Sequence, residues 1–256
     1  MTSIFYLITD LLLPPRMRGL ANALQRTSAR HREPSVILSA DDEIVRPTRR
    51  LMDVALAAIQ RARAIDLTEL DRRTSSQPRW YRTWPGEHYR LLAALVQELN
   101  AKTVIEIGTF TGMGTLALAQ TLPAGGRVVT FDLQPWKDFE QTWLVESDFV
   151  DGRITQIIAD VGAQGGIRPY QDLFADADFI FIDGPKDGAT EQKFIDAIDS
   201  LVLLKNPIIM FDDTRLVNMI EIWRRFSRPK MDITSFGHWS GTGLVDWNGE
   251  SGDEKA

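Results

Sequence analysis

Five apolar runs in this sequence end in, or carry, a carboxylate, and one delivers an amine beside it. In "FIFIDGPKDG", residues 179–188, Asp183 closes the run and Lys186 follows three residues later, so an acid and an amine reach the same spot. "NPIIMFDD" ends in the pair Asp212 and Asp213, "RVVTFD" in Asp132, and "RITQIIAD" in Asp160. "TVIEIG" carries Glu106 immediately before a loop with glycines at 108, 112 and 114. Glycine lets backbone approach a ligand closely, and a helix that follows such a loop offers unpaired N–H donors. Asp132 is placed to accept both hydroxyl protons of a ribose.

A glycine loop with an acid after the second strand also occurs in dinucleotide dehydrogenases, but their spacing is G-x-G-x-x-G. Here the order is G-x-x-x-G-x-G, and it opens with an acid. A carboxylate is unfavourable beside a pyrophosphate and favourable beside an ammonium or sulfonium, because opposite charges attract. The loop therefore points to S-adenosylmethionine (SAM), with a nucleotide-dependent oxidoreductase as the distant alternative. The cofactor contacts expected on this reading are Glu106, Gly108, Thr109, Phe110, Gly112 and Gly114 in the loop. Asp132, Leu133, Asp160, Val161 and Asp183 follow at the later strand ends.

Those groups share one site only if the runs are parallel strands, since ligands of open α/β sheets bind beyond the carboxyl ends. The runs are short and almost continuously apolar, which suits strands covered on both faces. Amphipathic stretches separate them, which predicts a doubly wound, Rossmann-like α/β sheet. The tail segments "DITSFGHW" and "GTGLVDW" have no helix between them and read as an antiparallel edge hairpin joined by a Ser-Gly turn. Residues 1–76 read as a helical N-terminal extension, serving as lid or dimer contact. Asp41 or Asp42 would cap its helix containing Leu51, Val54, Leu56 and Ile59. Residues 77–248 then form the catalytic domain, and 249–256 a disordered tail.

Composition narrows the partners. The chain has 256 residues, 44% hydrophobic content, a net charge of −6 and no cysteine. Thiolate zinc sites, disulfides and cysteine nucleophiles are excluded. The acidic balance disfavours nucleic acid, which needs a basic footprint. The apolar start "MTSIFYLITDLLLPP" contains Asp10 and is too short to cross a bilayer, so no stable membrane insertion is expected. Its helical spacing suggests packing on a sister subunit, hence a homodimer, and a cytoplasmic location fits the absence of cysteine.

The segment "NAKTVIEIGTFTGMGTLALAQTLPAGGRVVTFD" resembles the cofactor-binding part of the cation-dependent O-methyltransferases, the caffeoyl-CoA and catechol O-methyltransferase group. The shared features are an E-x-G-x-x-x-G loop, a P-x-G-G turn and an acid on the second strand. The resemblance covers about residues 84–247. It implies a seven-stranded, mostly parallel sheet with an antiparallel last strand, and SAM-dependent methylation of a hydroxyl on a small molecule such as a vicinal diol, phenol or sugar. It also implies a metal-binding Asp at the fourth strand end with a catalytic Lys three residues on, which Asp183 and Lys186 match. Asp183, Asp212 and Asp213 would then hold Mg²⁺ or a similar cation, and Lys186, its pKa depressed by that ion, would be the base. Trp84 would wall the sulfonium end of the cofactor, while Arg82, Arg215, His238 and Trp239 would contact substrate.

The sequence departs from the group's pattern in ways that keep rival readings open. The group has Asn where this chain has Asp213, and Gly184, Pro185 and Ala189 replace its usual substrate contacts. Asp183 also suits a metal-free methyltransferase, and Asp212 or Asp213 could cap a helix starting near Leu216. Lys186 could be a solvated lysine at a helix start. His88 and His238 could be a base or purely structural. A non-catalytic SAM-binding module is the remaining alternative.

Overall fold

The computed structural model describes residues 45–74, 81 and 87–250. Trp84, Arg82, Asp41, Asp42 and the apolar stretch 4–12 lie outside the described residues. Helices α1 (Arg49–Ala62) and α2 (Thr68–Arg73) are followed by α3 (His88–Glu98), β1 (Thr103–Ile107), α4 (Met113–Ala119), β2 (Arg127–Asp132) and β3 (Ile154–Ile158). Then come α5 (Gln171–Ala175), β4 (Phe179–Ile182), α6 (Thr190–Asp199), β5 (Ile208–Asp212), α7 (Val217–Arg225), β6 (Lys230–Asp232) and β7 (Thr242–Asp246). The seven strands form one sheet in the order β3-β2-β1-β4-β5-β7-β6. β1 to β5 pair in parallel, whereas β7 runs antiparallel to both β5 and β6. The doubly wound sheet with an antiparallel last strand is the expected one.

Alternation along the strands divides the core into two layers. Val104, Val128, Phe179, Phe181, Met210 and Leu244 face α1, α3 and α4. Ile105, Val129, Phe131, Ile180, Ile209 and Val245 face the opposite layer, which includes α6 and α7. β1, β4 and β5 are buried along their whole length, which explains their unbroken apolar sequences. Each fully buried Phe contributes about 1.5–3 kcal/mol of transfer free energy.

Two local readings need correction. The helix that was to be capped by Asp41 or Asp42 is α1, and its cap is Thr48, whose side chain accepts from the Leu51 amide. Thr48 Oγ1 also donates to Asp246 Oδ2 at 2.6 Å, and Arg50 pairs with Asp246 Oδ1 at 2.6 Å, tying α1 to the end of β7. Leu56 is exposed, while Leu51, Ala55, Ala58 and Ala62 carry the buried stripe. The tail hairpin is real but not tight. Only residues 230–232 form its first strand, and residues 233–241 make a long return with a 3₁₀ turn at Thr234–Phe236. That return carries His238. In the tail, Gly249 N donates to Asp246 O, and residues 251–256 lie outside the described residues.

Candidate functional site

β1 and β4 lie at the switch point of the strand order, where the connections diverge to opposite edges and leave a crevice. A cleft of about 510 Å³ opens there. Of the residues expected at a cofactor, Gly108, Phe110, Asp132, Leu133, Asp160, Val161 and Asp183 line it. Lys186 and Asp213 line it as well. Gly108 has φ +107°, and a Cβ there would stand 2.1 Å from the Asp183 carbonyl oxygen, so the loop can cross β4 only as glycine. Gly112 is the left-handed cap of α4. Asp132 is pinned at the rim: its Oδ1 accepts from Leu133 N at 2.7 Å and its Oδ2 from Phe110 N at 2.9 Å. Phe110 meets Phe139 edge-on at 5.4 Å, and Thr190, Lys193 and Phe194 of α6 complete the wall. Sequence reading missed Phe139 and the α6 residues, because nothing in their spacing marks the cleft.

Glu106, Thr109 and Gly114 are not cleft residues. Glu106 shares the strand face of Val104, which is the α4 layer, so its side chain runs beneath the loop and is 1% exposed. It accepts from Thr115 Oγ1 of α4. Thr109 Oγ1 and Thr130 Oγ1 are 2.7 Å apart beside it. A Cβ on Gly114 would lie 2.4 Å from Glu106 Oε1, so this glycine makes room for the carboxyl rather than for a ligand. Burial pushes the Glu106 pKa up to about 8 against the hydrogen bonds of Thr115 and Thr130. At neutral pH the group is mostly protonated, so it offers little negative charge to a cationic ligand.

The remaining acids gather beside the cleft with partners the sequence did not reveal. Lys186 Nζ lies 2.8 Å from Asp183 Oδ1 and 3.9 Å from Asp213 Oδ2. Burial acts to lower the Lys186 pKa, but the Asp183 and Asp212 carboxylates outweigh it and raise the value. Lys186 thus holds its proton between these carboxylates. Asp212 and Asp213 do not cap α7: the N-cap position is Leu216, and no side chain makes a capping bond there. Asp213 instead sits at φ +61°, a strained conformation for a non-glycine residue. Its N–H donates to Gly241 O, and Arg215 N donates to Ser240 O, both at 2.8 Å. These bonds stitch the 238–241 return onto the end of β5.

The return places His238 Nδ1 3.6 Å from Asp212 Oδ1 and 3.4 Å from Asp213 Oδ1. Ser240 Oγ lies 2.6 Å from His238 Nδ1 and also bonds Asp213 Oδ1. Burial acts to lower the His238 pKa, yet Asp212 and Asp213 push it up to about 10. His88, at the start of α3, brings its Nδ1 to 3.7 Å from Asp212 Oδ1. Among the described residues, buried Asp212 Oδ1 and His88 Nδ1 have no hydrogen-bond partner. An orphaned buried carboxylate oxygen beside a second carboxylate and an imidazole nitrogen is what a cation would satisfy, so the residues fit one.

Of the other expected substrate contacts, the described side chains of Arg215 and Trp239 are not in this cluster's hydrogen bonds. Arg215 pairs with Asp232, its Nε 3.3 Å from Oδ2. Trp239 is 64% exposed, with its ring 5.8 Å from that of His238.

Residues 59–219 match the family model described as O-methyltransferase. The chain belongs to the O-methyltransferase family. The match begins within α1, well before the glycine loop, and ends in α7, so the His238 return lies beyond it. Over 122 residues, this family member is 32% identical to the catechol O-methyltransferase domain-containing protein 1 of Mus musculus, covering 46% of this chain and 45% of that protein. Over 128 residues it is 26% identical to the caffeoyl-CoA O-methyltransferase of Pinus taeda, covering 47% of each. The chain thus spans about half the length of these curated relatives. A solved methyltransferase from Geobacter sulfurreducens shares the fold, with a TM-score of 0.50, 16% identity, and coverage of 70% of this chain and 89% of that one.

Proposed function

We propose that this O-methyltransferase-family protein transfers the methyl group of SAM to a hydroxyl of a small molecule, with a divalent cation held by Asp183, Asp212 and Asp213. The observation that carries the reading is the meeting, at one switch-point cleft, of the glycine loop and Asp132 with the Asp183–Lys186 pair and Asp213. The cleft is large enough for a nucleoside with an amino-acid arm. Its rim carboxylate, Asp132, is held rigid by two backbone amides and can accept ribose hydroxyls. Phe110 and Phe139 offer apolar walls for a base.

A cation at the acid cluster would lower the pKa of a bound hydroxyl and favour the neutral amine of Lys186. Lys186 Nζ then accepts the hydroxyl proton, with Asp183 as the fixed partner that orients it. Asp213, strained and anchored through Gly241, holds the acceptor side in register. Methyl transfer is an in-line displacement at sulfonium, helped mainly by positioning. The acceptor class this reading favours is a vicinal diol, phenolic or sugar hydroxyl, whose oxygen the carboxylate-held cation would polarise. The expected setting is a cytoplasmic homodimer. Among the described residues no helix is long and apolar enough to cross a membrane.

A second reading, metal-free transfer at the same SAM site, draws on Lys186 already placing a positive charge between Asp183 and Asp213. Calorimetric titration with SAM, then transfer of labelled methyl to a panel of diols with and without EDTA, separates them. Absence of SAM binding overturns the reading; EDTA-insensitive turnover overturns its cation half.

A further inference from the structure

The acid pair at the end of β5 is not faced by carboxylates and an amine alone. Asp213 turns Oδ2 toward Lys186 and Oδ1 toward His238 and Ser240. His238 Nδ1 stands 3.4 Å from Asp213 Oδ1 and 3.6 Å from Asp212 Oδ1, and the three ligand atoms lie within 4.8 Å of one another. These N···O separations exceed a hydrogen bond of about 2.7–3.2 Å. They suit ligands sharing one ion, because donors about 2.0–2.2 Å from a dication stand roughly 3.0–3.6 Å apart. A second observation comes from α3: His88, 9% exposed, directs an Nδ1 that makes no hydrogen bond at the Oδ1 of Asp212, which also makes none. Two imidazole rings thus converge on one orphaned oxygen, with their centroids 5.2 Å apart.

From this geometry we infer that His238 is a direct ligand of the cation, making a mixed carboxylate–imidazole site that favours a first-row transition dication such as Mn²⁺ or Co²⁺ over Mg²⁺. An imidazole nitrogen is accepted by first-row transition dications, increasingly from Mn²⁺ to Co²⁺, whereas Mg²⁺ favours an all-oxygen shell. His88 approaches Asp212 from the α3 side, its Nδ1 3.7 Å from Oδ1. The Ser240 hydroxyl bridges Asp213 and His238, and its bond to Asp213 would hold that carboxylate while Nδ1 served the ion. The strained Asp213 and the stitched return serve this assembly: they carry a residue from beyond the family-matched segment onto the acids.

The inference rests on the cation-dependent reading, and the test separates the two. EDTA-stripped full-length protein is titrated calorimetrically with MnCl₂ and with MgCl₂. The Mn²⁺ complex is then examined by electron spin-echo envelope modulation for directly coupled ¹⁴N. Wild type is expected to bind Mn²⁺ at least about tenfold tighter than Mg²⁺ and to give the ¹⁴N signal. H238A is expected to lose the signal and at least about tenfold in Mn²⁺ affinity, with less than about threefold change for Mg²⁺. Mn²⁺ bound to wild type without ¹⁴N coupling, or coupling that persists in H238A, overturns His238 ligation and leaves the cation reading standing. Failure of wild type to bind either ion overturns both. The wild-type spectrum decides the matter even if H238A does not fold.

Discussion

Replacing Glu106 by Gln should change how stability depends on pH, and the size of the effect follows from where the carboxyl lies. Glu106 is 1% exposed beneath the glycine loop, and burial raises its pKa from 4.5 to about 8. In the unfolded chain it ionises near its ordinary value, so between these two pKa values the folded state binds the extra proton. Stability is therefore fully present below pH 4.5 and is lost as pH rises toward 8. The slope is about 1.4 kcal/mol per pH unit, so from pH 5 to 7.5 the loss is about 3 kcal/mol. That is a large share of the roughly 5–15 kcal/mol by which domains are stable. E106Q keeps the shape and can still accept from Thr115, but it does not titrate. Urea unfolding followed by tryptophan fluorescence should give similar stabilities for the two proteins near pH 5. At pH 7.5 E106Q should be about 3 kcal/mol the more stable relative to wild type. Parallel stability profiles from pH 5 to 7.5 would refute the placement of a neutral carboxyl at this site.

Other perturbations test the surrounding framework. Gly108→Ala puts a methyl 2.1 Å from the Asp183 carbonyl at φ +107°, and should cost roughly 2–4 kcal/mol, lower the melting temperature and abolish SAM binding by calorimetry. Thr48→Ala removes both the α1 cap and a bond to Asp246, and should lower the urea-unfolding free energy by about 1–2 kcal/mol at unchanged m-value. Lys186→Met should reduce methyl transfer by about 10²–10⁴-fold while SAM affinity changes little; a variant with near-normal turnover would remove Lys186 as the base.

The sheet was legible because parallel strands buried on both faces must be apolar throughout, and β1, β4 and β5 advertise this in "TVIEI", "FIFI" and "IIMFD". The acids at the strand ends were legible for the complementary reason: a charge closing such a run has only the cleft edge to occupy. The burial of Glu106 was not legible, because side chains alternate along a strand and being next to the loop in sequence does not fix which face the carboxyl takes. Leu56 and the Thr48 cap show how a helix boundary shifts when a tertiary partner, here Asp246 of β7, chooses the cap.

By itself, the sequence determined the α/β architecture, the glycine loop and the set of carboxylates at the sheet's working edge, since each follows from local periodicity and backbone freedom. Only the tertiary structure decided how those acids are compensated. β7 inserts antiparallel between β5 and β6, and its lead-in is bonded to residues 213 and 215. That crossing, together with α3 packing over the same edge, delivers His238 and His88 to Asp212 from opposite ends of the domain sequence. No spacing rule connects those positions; they meet because hydrogen-bond pairing and core burial leave the two segments nowhere else to lie.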